Sequence, residues 1–205
     1  MIRTRKELDF YIKADLMMRT GSFTRSLPQK IINLIKPDYV FEYIRVSRKY
    51  SYYSHQGANP LLALLYGWKR RKLGFMLGFT IAVDEIGYGL MLPHHGTIVV
   101  GDGNRIGNYA VLFTSTCITE GNREIGDGFY LGCGAKVVRD LTLGDYVSVG
   151  ANSLVNRSFP DRCMVAGVPA QWIKESEPWY VRDGAEFSRR VNACEKLKRE
   201  YQIPD

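Results

Sequence analysis

The sequence predicts a mainly β protein built as a parallel β-helix, with an α-helical N-terminal region and a helical C-terminal extension. Three observations carry this. Aliphatic residues recur at six-residue steps, from Val100 through Ile106 and Leu112 to Ile118, and from Ile125 through Leu131, Val137, Leu143 and Val149 to Val155. The next residue is usually small, as at Gly101, Gly107, Gly126, Gly132, Gly144 and Gly150. The flanking segments lack this step and read as helical or polar.

A six-residue period matches neither an α-helix nor a simple strand. It suits a coil of short flat faces, in which the aliphatic residue points inward and the small one permits a corner. Three faces close a coil of ~18 residues, and successive coils stack like strands of a sheet at roughly 4.8 Å. One step of seven, Ile118 to Ile125, joins the two runs. An ordinary all-β domain would show period-2 alternation and hairpin turns, which are not dominant here.

Residues 1–75 read as an α-helical region. Leu8, Tyr11, Ile12, Leu16 and Met17 share one helical face. Pro28 opens a second segment carrying Ile31, Ile32 and Ile35, which Pro37 ends. Tyr39 to Tyr53 follows, with Tyr43, Tyr50, Tyr52 and Tyr53 read as packing rather than a sugar platform. A break is predicted at Gly57-Ala58-Asn59-Pro60, then a helix through Leu61–Tyr66 and Lys69–Lys72. This region is expected to cover the first coil and to shape subunit contacts.

Residues 76–173 are the predicted β-helix, about five coils long. The phase runs from Thr80 through Ile86 to Leu92, then slips by two before Val100. The slip falls on Pro93-His94-His95-Gly96-Thr97, and a regular scaffold broken at one polar point is where function is expected. Ala166-Gly167-Val168-Pro169-Ala170 makes a tight exit. Residues 174–205 form the C-terminal extension, helical from Gly184, with Trp172 and Trp179 read as packing on the last coil.

A chain of 205 residues with net charge +7 can bury a real core. Its basic clusters, Lys69-Arg70-Arg71-Lys72 among them, read first as solvated helix faces. No aromatic–basic pattern points to nucleic acid. Cys117, Cys133, Cys163 and Cys194 form no CxxC pair, and with three histidines no metal cluster is visible. They are read as reduced thiols, implying a cytoplasmic protein. The N-terminus lacks a signal-peptide core, and Leu73–Val83 is about half the ~20 apolar residues a transmembrane helix needs.

Met91-Leu92-Pro93-His94-His95-Gly96-Thr97-Ile98-Val99-Val100, the hexapeptides and Ala166-Gly167-Val168-Pro169-Ala170 together resemble the serine acetyltransferase branch of the hexapeptide acyltransferases, over about residues 78–174. The resemblance implies a left-handed β-helix, a homotrimer, and acetyl-CoA as cosubstrate in the groove between neighbouring coils. It places the catalytic histidine at His94. A neutral imidazole can take a proton from a hydroxyl as it attacks a thioester and return it to the leaving thiolate. His95 is the rival, expected on the other side of the strand, and a third reading has neither histidine catalytic.

The resemblance assigns the pantetheine arm to Cys133, Gly134 and Ala151, with Thr119 a less certain member. It assigns the adenine end to Ala166, Gly167 and Pro169. Where the family often has a basic residue there is Gln171, leaving Lys174 as the nearest basic substitute. Two aspartates that the family uses are replaced by Phe79 and Pro93, and its longer serine-holding loop is cut to Thr119–Glu124. An amino-acid acceptor needs partners for both its charges. The site is therefore expected to suit a neutral, polyhydroxylated acceptor, and the resemblance implies a carbohydrate hydroxyl in polysaccharide biosynthesis, with His95 and Arg123 as the expected contacts. The alternatives are serine O-acetylation and a non-catalytic trimeric scaffold. A backbone carbonyl or Asp84 is the candidate to orient His94.

Overall fold

The computed structural model describes residues 2–55 and 59–204. Four helices come first: α1 (Arg5–Thr20), α2 (Leu27–Ile35), α3 (Tyr39–His55) and α4 (Pro60–Leu77). Thr4 and Glu7 form a capping box at α1, and Ser26 and Gln29 form another at α2. The break expected at residues 57–60 lies partly outside the described residues, at Gly57 and Ala58. Within them, Asn59 Oδ1 accepts from Leu62 N at 3.1 Å and caps α4. Helix α4 runs to Leu77, past the residues assigned to it from sequence, and ends at Gly78 in the left-handed region.

Three parallel faces follow. The first stacks β1 (Phe79–Ile81), β2 (Ile98–Val100), β5 (Thr116–Ile118), β8 (Lys136–Val137) and β11 (Leu154–Val155). The second stacks β3 (Asn104–Ile106), β6 (Arg123–Ile125) and β9 (Thr142–Leu143), extended by bridges at Ile86 and Phe159. The third stacks β4 (Val111–Leu112), β7 (Tyr130–Leu131), β10 (Ser148–Val149) and β12 (Cys163–Gly167), with β13 (Ala170–Glu175) antiparallel at its end. This is the predicted β-helix, about five coils long with helical ends.

All ten aliphatic residues of the two six-residue runs are at most 4 % exposed, so the period reports the prism interior. In the first coil the inward residue is Ile81, paired in register with Val100, while Thr80 is exposed; the phase assigned to Thr80 is off by one. The seven-residue step is an extra residue at the corner between β5 and β6, where the register offset rises to Asn104↔Arg123.

The helical ends meet on the first two coils. Asp15 of α1 and Arg48 of α3 form a buried ion pair at 2.9 Å, and Arg48 Nη1 also donates to Ile86 O at 2.6 Å. Asp15 Oδ1 accepts from Leu90 N at 2.9 Å, so the pair is satisfied by backbone as well as by itself. Two helices follow the last coil, the short α5 (Trp179–Arg182) and α6 (Ala185–Glu200). Glu195 of α6 accepts from Tyr88 Oη at 2.9 Å and from Tyr109 Oη. Trp179 is buried, donating from Nε1 to Tyr109 O at 2.8 Å, whereas Trp172 is more than half exposed. The expected packing of both tryptophans on the last coil is thus corrected: Trp179 packs on the second coil, and Trp172 is largely exposed. Tyr43 packs edge-on against Phe79, and Tyr53 stacks on Tyr66.

Candidate active site

The histidine loop, residues 93–97, is the corner between the third and first faces in the opening coil. It is held at both ends by the N-terminal helices. Arg19 Nη1 donates to Leu92 O at 3.0 Å, Gly96 N donates to Leu77 O at 2.9 Å, and Ile98 N donates to Gly78 O at 3.1 Å. The approach is close enough that a Cβ on Gly78 would lie 3.1 Å from the carbonyl carbon of Gly96. Gly96 has φ +125°, and a Cβ there would overlap Thr114 Oγ1 in the coil below.

Between these anchors His94 and His95 both project to solvent. The segment is a bend, so strand alternation does not separate the two rings; that expectation is corrected. Among the described residues neither imidazole has a hydrogen-bond partner. Asp84 lies in a short 3-10 turn, Val83–Glu85, at the corner between the first and second faces, one face away from His94. It does not orient the ring.

Below His94 the same corner repeats once per coil. Thr114 and Ser115 come first, then Cys133 and Gly134, Ala151 and Asn152, and finally Gly167 to Pro169. Backbone bonds tie the steps together: Gly134 N to Thr114 O at 3.1 Å, and Asn152 N to Cys133 O at 2.8 Å. Gly167 N donates to Ser153 Oγ at 3.1 Å. Ala166 precedes the last step on β12, and Val168 and Pro169 are the tip of the β12–β13 hairpin, joined by a cis peptide. His94, His95, Cys133, Gly134, Ala151, Ala166, Gly167 and Pro169 are therefore brought onto one edge. Cys133, Ala151 and Gly167 are exposed along it.

Thr119, Arg123 and Lys174 are not on that edge. Thr119 and Arg123 sit at the next corner, across the first face. Arg123 is buried, and its Nη1 donates to Asn104 Oδ1 at 2.8 Å and to Thr119 O at 2.5 Å. Nη2 donates to Thr119 Oγ1 at 2.7 Å. The guanidinium thus braces the extra-residue corner, and desolvation holds its pKa below the ordinary value. Lys174 pairs with Met164 at the end of the hairpin remote from the Val168-Pro169 tip. The basic group beside Gln171 is instead Arg157, whose Nη2 donates to Gln171 Oε1. Sequence reading missed it because the two lie 14 residues apart. Its place two residues after Val155, the last aliphatic residue of the six-residue run, was the signal available.

A β-helix of short faces, with a histidine pair at the head of an edge of small residues, has the features of a hexapeptide-repeat acetyltransferase, and comparisons with known proteins support that class. No family model matches the chain. The sequence is 32 % identical over 100 residues to the serine acetyltransferase of Haemophilus influenzae, covering 45 % of this chain and 38 % of that protein. It is 38 % identical over 99 residues to the serine acetyltransferase of Buchnera aphidicola subsp. Schizaphis graminum, covering 44 % and 38 %. The chain thus spans less than half the length of these relatives. In structure it resembles Neisseria gonorrhoeae serine acetyltransferase, with a TM-score of 0.65 at 24 % identity over 83 % of this chain and 66 % of that one. The same enzyme in complex with serine gives 0.62 at 25 % identity, over 80 % and 68 %. A serine acetyltransferase in complex with CoA gives 0.62 at 20 % identity, over 82 % and 69 %, a likeness of fold.

Proposed function

We propose that the protein transfers an acetyl group from acetyl-CoA to a hydroxyl oxygen, with His94 as general base. The observation that carries this is the position of His94, free and outward-facing at the head of an edge paved with small residues. A thioester at the head of that edge would meet the imidazole first. His94 takes the acceptor hydroxyl's proton as the new C–O bond forms, and returns it to the sulfur as the C–S bond breaks. Cys133, Gly134 and Ala151 leave room for an extended arm, and Gly167, Pro169 and Arg157 stand at its far end. Lys174 and Thr119 are secondary candidates that would act only if a neighbouring copy brings its own corner across.

A second copy is part of the proposal. Pockets among the described residues lie at Lys30–Glu42 and beside Arg189 and Arg190, away from the His94 edge. A groove along that edge would be completed by a neighbour, as in the expected homotrimer. The four cysteines are free, in keeping with a reducing, cytoplasmic setting.

For the acceptor, the names of the relatives favour L-serine, the alternative of the sequence reading, over a carbohydrate. One observation supports carbohydrate as the second reading. Phe79 stands where the resemblance implies an aspartate, and it is buried against Tyr43 with ring centroids 5.2 Å apart. That position offers no charge to an ammonium group. CoA thiol release, measured against L-serine, free sugars, sugar nucleotides and oligosaccharides, decides between them. Turnover with serine alone establishes the first reading, and turnover with sugars alone the second. An N-acetyl product removes the hydroxyl acceptor in favour of an amine, and no turnover with any acceptor leaves the scaffold reading.

A further inference from the structure

Two of the N-terminal helices turn apolar faces outward. In α2 every residue except Asn33 is exposed, including Leu34 at 83 % and Ile35 at 82 %. A nine-residue helix is shorter than the roughly 12–15 residues that stand alone in water, so its apolar side needs cover. In α4 the inward side, with Gly74 and Leu77 buried, meets α3 and the first coil, while Leu61, Leu64, Trp68, Phe75 and Met76 are exposed. At about 100° per residue these five fall within one stripe about 120° wide. Lys69 and Arg71 flank it on opposite sides, and Lys72 lies along it with its ammonium 5.4 Å over the Trp68 ring. Arg70 alone of the cluster turns inward, donating to Ile81 O at 3.1 Å.

The charge along α4 is basic only, whereas Asp38 and Glu42, which line a pocket with Lys30 and Leu34 of α2, are paired with Arg19 and Arg45. No Asp or Glu occurs between Glu42 and Asp84, and α2 carries Lys30 with Lys36 at its end and no acid. An apolar stripe flanked by exposed basic residues and free of acids suits the headgroup layer of a bilayer, where carbon sinks among acyl chains and cations meet phosphates. A second copy is the poorer occupant, because a two-fold pairing of α4 on α4 brings two basic stripes together with no acid on either helix to offset Lys69, Arg71 and Lys72. Among the described residues no helix is long and apolar enough to cross a membrane, so these helices would lie on it.

We propose that the exposed faces of α2 and α4 bind the surface of an anionic lipid bilayer. The test is co-sedimentation of the full chain with phosphatidylcholine vesicles, with and without phosphatidylglycerol. The wild type should sediment with the mixed vesicles and hardly with the neutral ones, and added salt should weaken binding. Leu64→Glu with Phe75→Glu should weaken binding at least about tenfold, as should Leu34→Glu with Ile35→Glu. All four positions are exposed, so thermal unfolding should be unchanged. Lys69→Glu with Arg71→Glu should abolish the preference for anionic vesicles while leaving thermal unfolding in place. Failure to bind either vesicle, equal binding to both, or full binding by the apolar variants overturns the proposal. So does a fall in the lipid-free mass of the apolar variants, which would make the faces a contact between copies.

Discussion

The backbone N–H of Gly96 donates to the carbonyl oxygen of Leu77 at 2.9 Å, so the last turn of α4 sets the height of the histidine loop above the first coil. The hexapeptide pattern cannot place that loop, because it is interrupted there. The helices do so, with Arg19 holding Leu92 O on the other side. Residues of the N-terminal helices thereby position His94.

Gly96→Ala should disturb this loop. The residue has φ +125°, and its Cβ would overlap Thr114 Oγ1, so a loss of about 1–3 kcal/mol is expected together with a displaced His94. Gly184→Ala is the control, since Gly184 has φ +126° with nothing within 4 Å. Both variants should lower the thermal midpoint. Only Gly96→Ala should also lower kcat per folded molecule, measured by CoA thiol release.

His94→Ala should lower kcat/KM by about 10²–10⁴ while the thermal midpoint stays near that of wild type, because the residue is exposed. His95→Ala should have a smaller effect, seen chiefly in KM for the acceptor. Equal, small losses in both variants would remove the general-base assignment.

Thiol labelling reads the proposed edge directly. Cys133 is exposed on it, Cys117 is half-buried on the first face, and Cys163 and Cys194 are buried. Burial pushes the Cys163 thiol up and the Cys194 thiol up to about 12, so both should be inert near neutral pH. Cys133 should react first with iodoacetamide, and CoA should slow that reaction severalfold without affecting Cys117 to the same degree. Peptide mass spectrometry of the alkylated protein measures both rates.

Stability should fall at alkaline pH. Burial raises Cys194 from its ordinary 9.0 to about 12, and burial with the Glu195 carboxylate pushes the Tyr88 and Tyr109 phenols upward. A raised group holds its proton in the folded state after the unfolded chain has lost it. Its contribution is therefore full below pH 9 and lost as pH rises through the folded values. Urea midpoints should decline from about pH 9 upward, and Cys194→Ala should flatten the first part of the decline.

Much of the prism was legible in the residues because its signal is local. Each hexapeptide places one side chain inward, and Val100 to Val155 are buried as the period requires. The histidine loop was legible for the same reason: a break in a strict period marks itself, while the choice of His94 over His95 within it rests on the resemblance. Cys133, Gly134, Ala151 and Gly167 fell on one edge because a constant coil length carries a spacing of one coil into vertical alignment. The first coil was less legible, and its inward residue shifted from Thr80 to Ile81 where α4 meets β1 and no repeat precedes it.

What the sequence by itself determined is the coil: the period, the inward residues, the seven-residue step and the corner that carries the histidines. Only the tertiary structure decided what crosses between coils and helices. It set Arg157 beside Gln171 and Arg123 into a buried brace with Asn104 and Thr119. It also left the apolar faces of α2 and α4 outward, although their amphipathic pattern reads equally well as core-facing. The physical reason is that a periodic pattern reports which side of an element is apolar, while the partner that covers that side is chosen by contacts between residues distant in the chain.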